Sequence, residues 1–228
     1  MESTGGITAY NARYWMPGTS APSTLYWSLD VGFVHWVMLA GYGSSVDAGS
    51  PQVAWLEADL KAVDRTVTPW VFVAFHQPYV NSNANHQGDG DPIQASMEAI
   101  FNTYDVDVIF SGHVHAYERS CRMYKLKCTG TASGAIYITI GDGGNREGLA
   151  TKWLTQPAWS LFRLASYGHG ELLVANSTAV QWQWHQNPDL EPKIADSVWI
   201  VKGASSEVGP GVTAYTRRKD GKPVVSQA

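Results

Sequence analysis

No apolar run in this 228-residue chain reaches the ~20 residues that a membrane-spanning helix requires, so the sequence predicts no such helix. Its opening residues, Met1 to Gly6, have neither a basic nor an apolar leader region, and no signal peptide is read within the chain. Charge is sparse as well: charged residues make up 16%, with 16 Lys+Arg against 20 Asp+Glu for a formal net charge of -4. With no basic patch and no long acidic run, neither nucleic acid nor a membrane surface is an expected partner. Cysteine is limited to Cys121 and Cys128. One close pair favours a local disulfide in an oxidising compartment over two free thiols, without excluding the latter. No internal repeat is visible.

What the chain does have is apolar and aromatic residues. At 44% hydrophobic it is long enough to bury a core, and one domain over residues 1–202 is expected. Ten Trp, eleven Tyr and 22 Gly suggest a strand-rich fold with tight turns. Residues 203–228, dominated by Gly, Ser, Pro, Lys and Arg, read as a loosely held tail. Asn176, in Asn-Ser-Thr, is an N-glycosylation acceptor by pattern, though such triplets also arise by chance.

Residues 10–26 read as an irregular opening segment. Residues 25–30 and 31–39 read as two strands joined by a turn near Asp30 to Gly32. His35, inside the second, is expected to be a satisfied core residue. Apolar residues at three- and four-residue spacing predict a helix over 51–67, with Ser50 as N-cap and Pro51 in its first turn. Residues 69–76 form an apolar run ending in His76, which fits a buried strand feeding the long polar loop 77–92. A second helix over 93–104 and a buried strand over 106–111 follow. Strand, helix, strand, helix, strand indicates an α/β arrangement. Strands are expected again at 135–140, 170–174, 180–184 and 197–201.

The strongest chemical feature is His113-Val114-His115 at the end of an apolar strand. On a strand, side chains at i and i+2 share a face about 6.6 Å apart. That spacing lets two imidazoles approach a pair of metal ions ~3.5–4 Å apart. Gly112 before them permits close backbone approach. An exposed strand-end His-x-His without metal is the competing reading. His76 tips the balance, because it also lies where a buried strand ends, and such ends face one crevice in a parallel sheet. His86, in the loop after His76, reads alone as a solvated histidine. Near a metal-bound phosphate it could bind the ester or protonate its leaving group. The segment around Asp142 is first of all a glycine turn, with catalysis the minority reading. Trp182 and Trp184 share a strand face as core residues, in preference to a sugar-stacking platform.

Six segments in this order resemble the purple acid phosphatases, the binuclear branch of the metallophosphoesterases. They are Ala9–Pro17 (AYNARYWMP), Gln52–Leu60 (QVAWLEADL), Phe75–Tyr79 (FHQPY), Gly112–Arg119 (GHVHAYER), Ile140–Asn145 (IGDGGN) and Phe162–Gly170 (FRLASYGHG). The resemblance implies the family's four-layer α/β/β/α sandwich, a mixed α/β fold, with this chain as the C-terminal part of the catalytic domain and the N-terminal half missing. It implies hydrolysis of phosphate monoesters at a binuclear centre of Fe(III) with Zn, Mn or Fe(II). By the same resemblance, His76 and His113 ligate the divalent ion, His115 ligates the ferric ion, and His86 contacts substrate phosphate and assists the leaving group. Secretion or a vacuolar location and a homodimer are also implied. Asn85 stands where many relatives have a histidine beside the one matched by His86, which weakens proton chemistry there.

The family's remaining ligands, an aspartate, the bridging aspartate, a tyrosine and an asparagine, come from motifs not found ahead of His76 in this sequence. Two expectations therefore stand together. One is an acid phosphatase by family. The other is a non-catalytic remnant that binds at most one metal, a single Zn, or serves as an interaction module. The missing strands would leave apolar edges and faces open.

Overall fold

The computed structural model describes residues 5–14, 16–17, 25–130, 133–187 and 193–203. The expected tail lies outside the described residues except for Gly203. The first described element is a helix, α1 (Gly5–Arg13), so residues 10–13 of the segment expected to be irregular are helical.

Strands β1 (Trp27–Val31) and β2 (Val34–Met38) form an antiparallel hairpin. The chain continues through α2 (Pro51–Ala62), β3 (Trp70–Phe75), α3 (Asp91–Thr103) and β4 (Val108–Ser111). Next come β5 (Tyr117–Tyr124), β6 (Lys127–Cys128), β7 (Ala135–Ile140) and β8 (Ser160–Leu164). The last three strands are β9 (Gly168–Val174), β10 (Ala179–Gln186) and β11 (Lys193–Val201). Eight strands make one mixed sheet in the order β1-β2-β3-β4-β7-β5-β6, with β8 paired to β5, while β11-β10-β9 form a second, antiparallel sheet. Within the larger sheet β2, β3, β4 and β7 run parallel, which confirms the α/β reading.

Period-two alternation along β3 explains the layering. Val71, Val73 and Phe75 join a core with Leu56 and Leu60 of α2 and Met97 and Phe101 of α3. Trp70 and Phe72 face the other way, into a core with Val180, Trp182 and Trp184 of β10 and Val198 and Ile200 of β11. Helices, large sheet and small sheet thus stack as three layers among the described residues. Trp182 and Trp184 are buried core side chains, as expected. Gly170 makes room for Trp182, since a Cβ there would come within 1.8 Å of its ring. Beside this core an open apolar groove of about 710 Å³ is lined by Phe33, Trp36, Met38, Phe110, Leu172 and Val174, among others.

Helix α2 ends earlier than its apolar spacing predicts. The Ser50 hydroxyl accepts from the Val53 amide at the N-terminus, as a cap should. At the other end Val63 turns extended, and the Asp64 carboxylate binds the amide and hydroxyl of Thr66. That local turn competes with another helical one. His35 is buried and hydrogen-bonded to Asp30 and Asp59. Strands β5, β6 and β8 are not among the strands expected from the sequence. In β5, Glu118, Arg119 and Arg122 are all buried, so the polar pattern concealed a central strand.

Candidate metal centre

Loops leave the carboxyl ends of β2, β3, β4 and β7 and meet at one edge of the large sheet, the usual ligand crevice of an open α/β fold. The loop after β3 contains His76 and His86, the turn after β4 contains His113 and His115, and the loop after β7 contains Asn145 and Gly148. Backbone bonds tie them together: the Gly112 amide donates to His76 O at 3.0 Å, Ala150 N to His115 O at 2.9 Å, and Ala84 N to Lys152 O at 2.8 Å.

The His113-Val114-His115 segment is not strand. β4 ends at Ser111 and β5 begins at Tyr117. Between them Val114 N donates to Gly112 O at 2.7 Å and Ala116 N to Val114 O at 2.8 Å. His113 itself takes a left-handed conformation, φ 63°, which few residues other than glycine adopt. The conformational demand expected of Gly112 therefore falls on His113, and the two imidazoles do not share a strand face. His86 is also left-handed, at φ 60°.

His76, His86 and His113 come together. Nδ1 of His113 lies 3.0 Å from Nε2 of His76, and the His86 and His113 rings are 3.9 Å apart between centroids. Tyr42, in the loop after β2, packs its ring 5.6 Å from that of His76. A residue that sequence reasoning missed completes the cluster. Asp89 places Oδ2 3.0 Å from His86 Nδ1 and 3.1 Å from His113 Nε2. Hydrogen bonds from His86 and then His113 hold its carboxyl below the ordinary aspartate value. Its position three residues after His86 was the only available signal.

His115 takes different partners. Its Nδ1 lies 3.0 Å from Gly148 O, and the Asn145 amide lies 2.8 Å from its Nε2. A carbonyl only accepts, so Nδ1 carries the proton and the Nε2 lone pair faces Asn145. Glu147 approaches Nε2 at 4.0 Å. Asn145 belongs to the segment read from sequence only as a turn. Asp142 in that segment is fully buried, with Oδ2 accepting from the Trp184 indole at 2.8 Å. Burial raises its pKa, and its bond to a core tryptophan marks it as structural.

The donor set fits one divalent cation. Two nitrogens bound to a tetrahedral zinc at 2.0–2.1 Å stand about 3.3 Å apart, close to the observed His76–His113 spacing. It does not by itself fit a carboxylate-bridged pair. Among the described residues, Asp89 lies on the His86 side of His113 and Glu147 on His115, and neither spans the two.

Cys121 and Cys128 form a disulfide, with Cα atoms 5.8 Å apart. Asn176 lies on the exposed turn between β9 and β10, its Oδ1 accepting from Thr178 and Ala179. No described helix is long and apolar enough to cross a membrane.

The sequence and the fold both resemble those of known phosphoesterases. Residues 9–117 match the family model described as calcineurin-like phosphoesterase, and residues 134–197 match that described as iron/zinc purple acid phosphatase-like protein C. Purple acid phosphatase 18 of Arabidopsis thaliana is 49% identical over 197 residues, covering 85% of this chain and 44% of the relative. Fe(3+)-Zn(2+) purple acid phosphatase 12 of the same plant is 40% identical over 201 residues, covering 83% and 43%. The chain thus spans less than half the length of these curated relatives. The solved structure of a purple acid phosphatase from yellow lupin seeds shares the fold, with a TM-score of 0.71 at 23% identity over 83% of this chain and 34% of that one. The chain belongs to the purple acid phosphatase family of metallophosphoesterases.

Proposed function

We propose that this chain carries the divalent-metal side of a phosphate-monoester hydrolase centre. The 3.0 Å approach of His113 Nδ1 to His76 Nε2, at the carboxyl ends of two adjacent parallel strands, supports this reading most directly. In it His76 and His113 hold Zn, Mn or Fe(II), and His115 faces the ferric ion. The relative named as an Fe(3+)-Zn(2+) enzyme supports that choice of metals.

A bound cation supplies Lewis acidity toward a phosphoryl oxygen and makes water more acidic. The chain's own residues do the rest. His86, held at Nδ1 by Asp89 and about a third exposed, contacts phosphate and gives a proton to the departing ester oxygen. Gly148 fixes the ring of His115 at Nδ1, and the Asn145 amide now meets the Nε2 lone pair, so Nε2 becomes a ligand atom once Asn145 turns aside. The Cys121–Cys128 bridge and the exposed Asn176 turn support a glycosylated, secreted or vacuolar protein.

A second reading follows from the lack of a bridging carboxylate among the described residues: this chain alone holds one ion and does not turn over substrate. Metal content and p-nitrophenyl phosphate hydrolysis, measured on the 228-residue chain and on one extended upstream, separate the two. Two metals and turnover in the shorter chain overturn the one-ion reading. No metal on His76 and His113 in either chain overturns both.

A further inference from the structure

The two ring nitrogens of His113 face different partners. Nδ1 faces His76 at 3.0 Å, whereas Nε2 faces Asp89 Oδ2 at 3.1 Å. The same oxygen lies 3.0 Å from Nδ1 of His86. An ionised carboxylate can only accept, so each nitrogen facing it carries a proton. A neutral His113 with a proton on Nε2 has its lone pair on Nδ1, on the side shared with His76. The orientation of the ring and the choice of tautomer are therefore both dictated by Asp89.

We propose that Asp89 is the positioning residue of this centre: one carboxylate oxygen sets His113 to offer Nδ1 to the cation and holds His86 over the same place. The inference rests on the assignment of His76 and His113 as ligands under the proposed function. It adds that one side chain orients both a metal ligand and the substrate-facing histidine. Partners of this kind usually change metal affinity by one to two orders of magnitude. The other use of the cluster is direct. His86, Asp89 and His113 offer ligand atoms all within 4.8 Å of one another, and a cation there would sit on Nε2 of His113 instead of Nδ1.

The test is a zinc titration of the ¹⁵N-labelled chain, with affinity read by chelator competition and histidine tautomers by long-range ¹H–¹⁵N correlation. The Asp89 side chain is 43% exposed, so Asp89→Ala should fold, as circular dichroism would verify. The wild-type chain should show zinc on His113 Nδ1 and His76 Nε2 with the His113 Nε2 proton retained. Asp89→Ala should bind zinc roughly 10- to 100-fold more weakly and show both His113 tautomers. Asp89→Asn, which keeps an acceptor oxygen, should fall between. Equal affinity and one unchanged tautomer in Asp89→Ala would overturn the positioning role alone. Zinc on His113 Nε2 and His86 Nδ1 would overturn it in favour of direct ligation by Asp89. A wild-type chain whose His76 and His113 nitrogens ignore zinc would instead remove the ligand assignment itself.

Discussion

Gly141, just past the end of β7, packs so closely on Val114 that a Cβ on Gly141 would lie 2.2 Å from the Val114 carbonyl oxygen and 3.2 Å from the carbonyl carbon of Gly112. These are backbone atoms of the turn that carries His113 and His115, and they have nowhere to swing. β7 therefore sets the shape of the histidine turn through a position that admits no side chain.

Replacing Gly141 by alanine should displace that turn. The expected stability loss is about 1–3 kcal/mol, as for other overpacked sites, with zinc affinity falling alongside. Gly143→Ala is the control, because nothing lies within 4 Å of a Cβ there. Denaturant midpoints and zinc titrations of both variants decide the matter. If Gly141→Ala matched Gly143→Ala in both, the turn would not depend on this approach.

The uneven legibility of the fold follows from where each residue finds its partners. Strands β3 and β4 were plain because both their faces are buried in apolar layers, and a continuous apolar run is what such strands require. β5 was hidden because its charged side chains find their hydrogen-bond and ion-pair partners far away in sequence. Glu118 binds Ser82 and Ser160, and Arg119 binds Asp196, 77 positions away. No local pattern reveals that. The histidines of the centre were legible as residue types at strand ends, but their geometry was not. A period of two assigns His113 and His115 to one face, whereas a left-handed residue at His113 sends them to different partners. Asp89 sits in a polar, glycine-rich loop, where a carboxylate normally signals only a turn.

His35 offers a pH test remote from the metal centre. Its Nδ1 lies 2.6 Å from Asp30 and its Nε2 2.9 Å from Asp59. Burial of the ring pulls its pKa down, but the bonds to Asp59 and Asp30 and the charges of those residues prevail, and the net shift is upward. A folded-state pKa above the unfolded value of about 6.5 stabilises the protein fully below that pH. The contribution fades as pH rises through the folded pKa. The stability advantage of wild type over His35→Gln should therefore shrink between pH 6 and 9. A difference that stays constant across that range, in urea titrations at fixed pH, would mean His35 is not charged in the fold.

Asp196 of β11 joins the two sheets. It accepts from the Tyr117 hydroxyl at 2.6 Å and pairs with Arg119 at 2.7 Å, and both members of the ion pair are buried. Removing one partner from such a pair strands the other charge, at a cost of about 3–5 kcal/mol, whereas an apolar replacement of both is often tolerated. Asp196→Ala should accordingly be far less stable than the double variant Arg119→Met, Asp196→Leu. A single variant within about 1 kcal/mol of wild type, the ceiling for exposed pairs, would show that solvent reaches the pair.

The His113–His115 pair looks like one unit in the sequence, but the structure divides it, and the division predicts how single variants behave. His76 and His113 face each other, and under the proposed function each supplies half of the same divalent site. Alanine at either should remove most zinc binding. Alanine at both should do little more, because residues that act together are not additive. His115 is held instead by Gly148 and Asn145. His115→Ala should leave the first zinc ion bound within a few-fold of wild type. Competition titrations against a chelator of known affinity would measure the four variants beside wild type. Equal losses in His76→Ala and His115→Ala would mean that the three imidazoles share a single ion, an arrangement zinc accepts readily, and that the turn at His113 rearranges when metal binds.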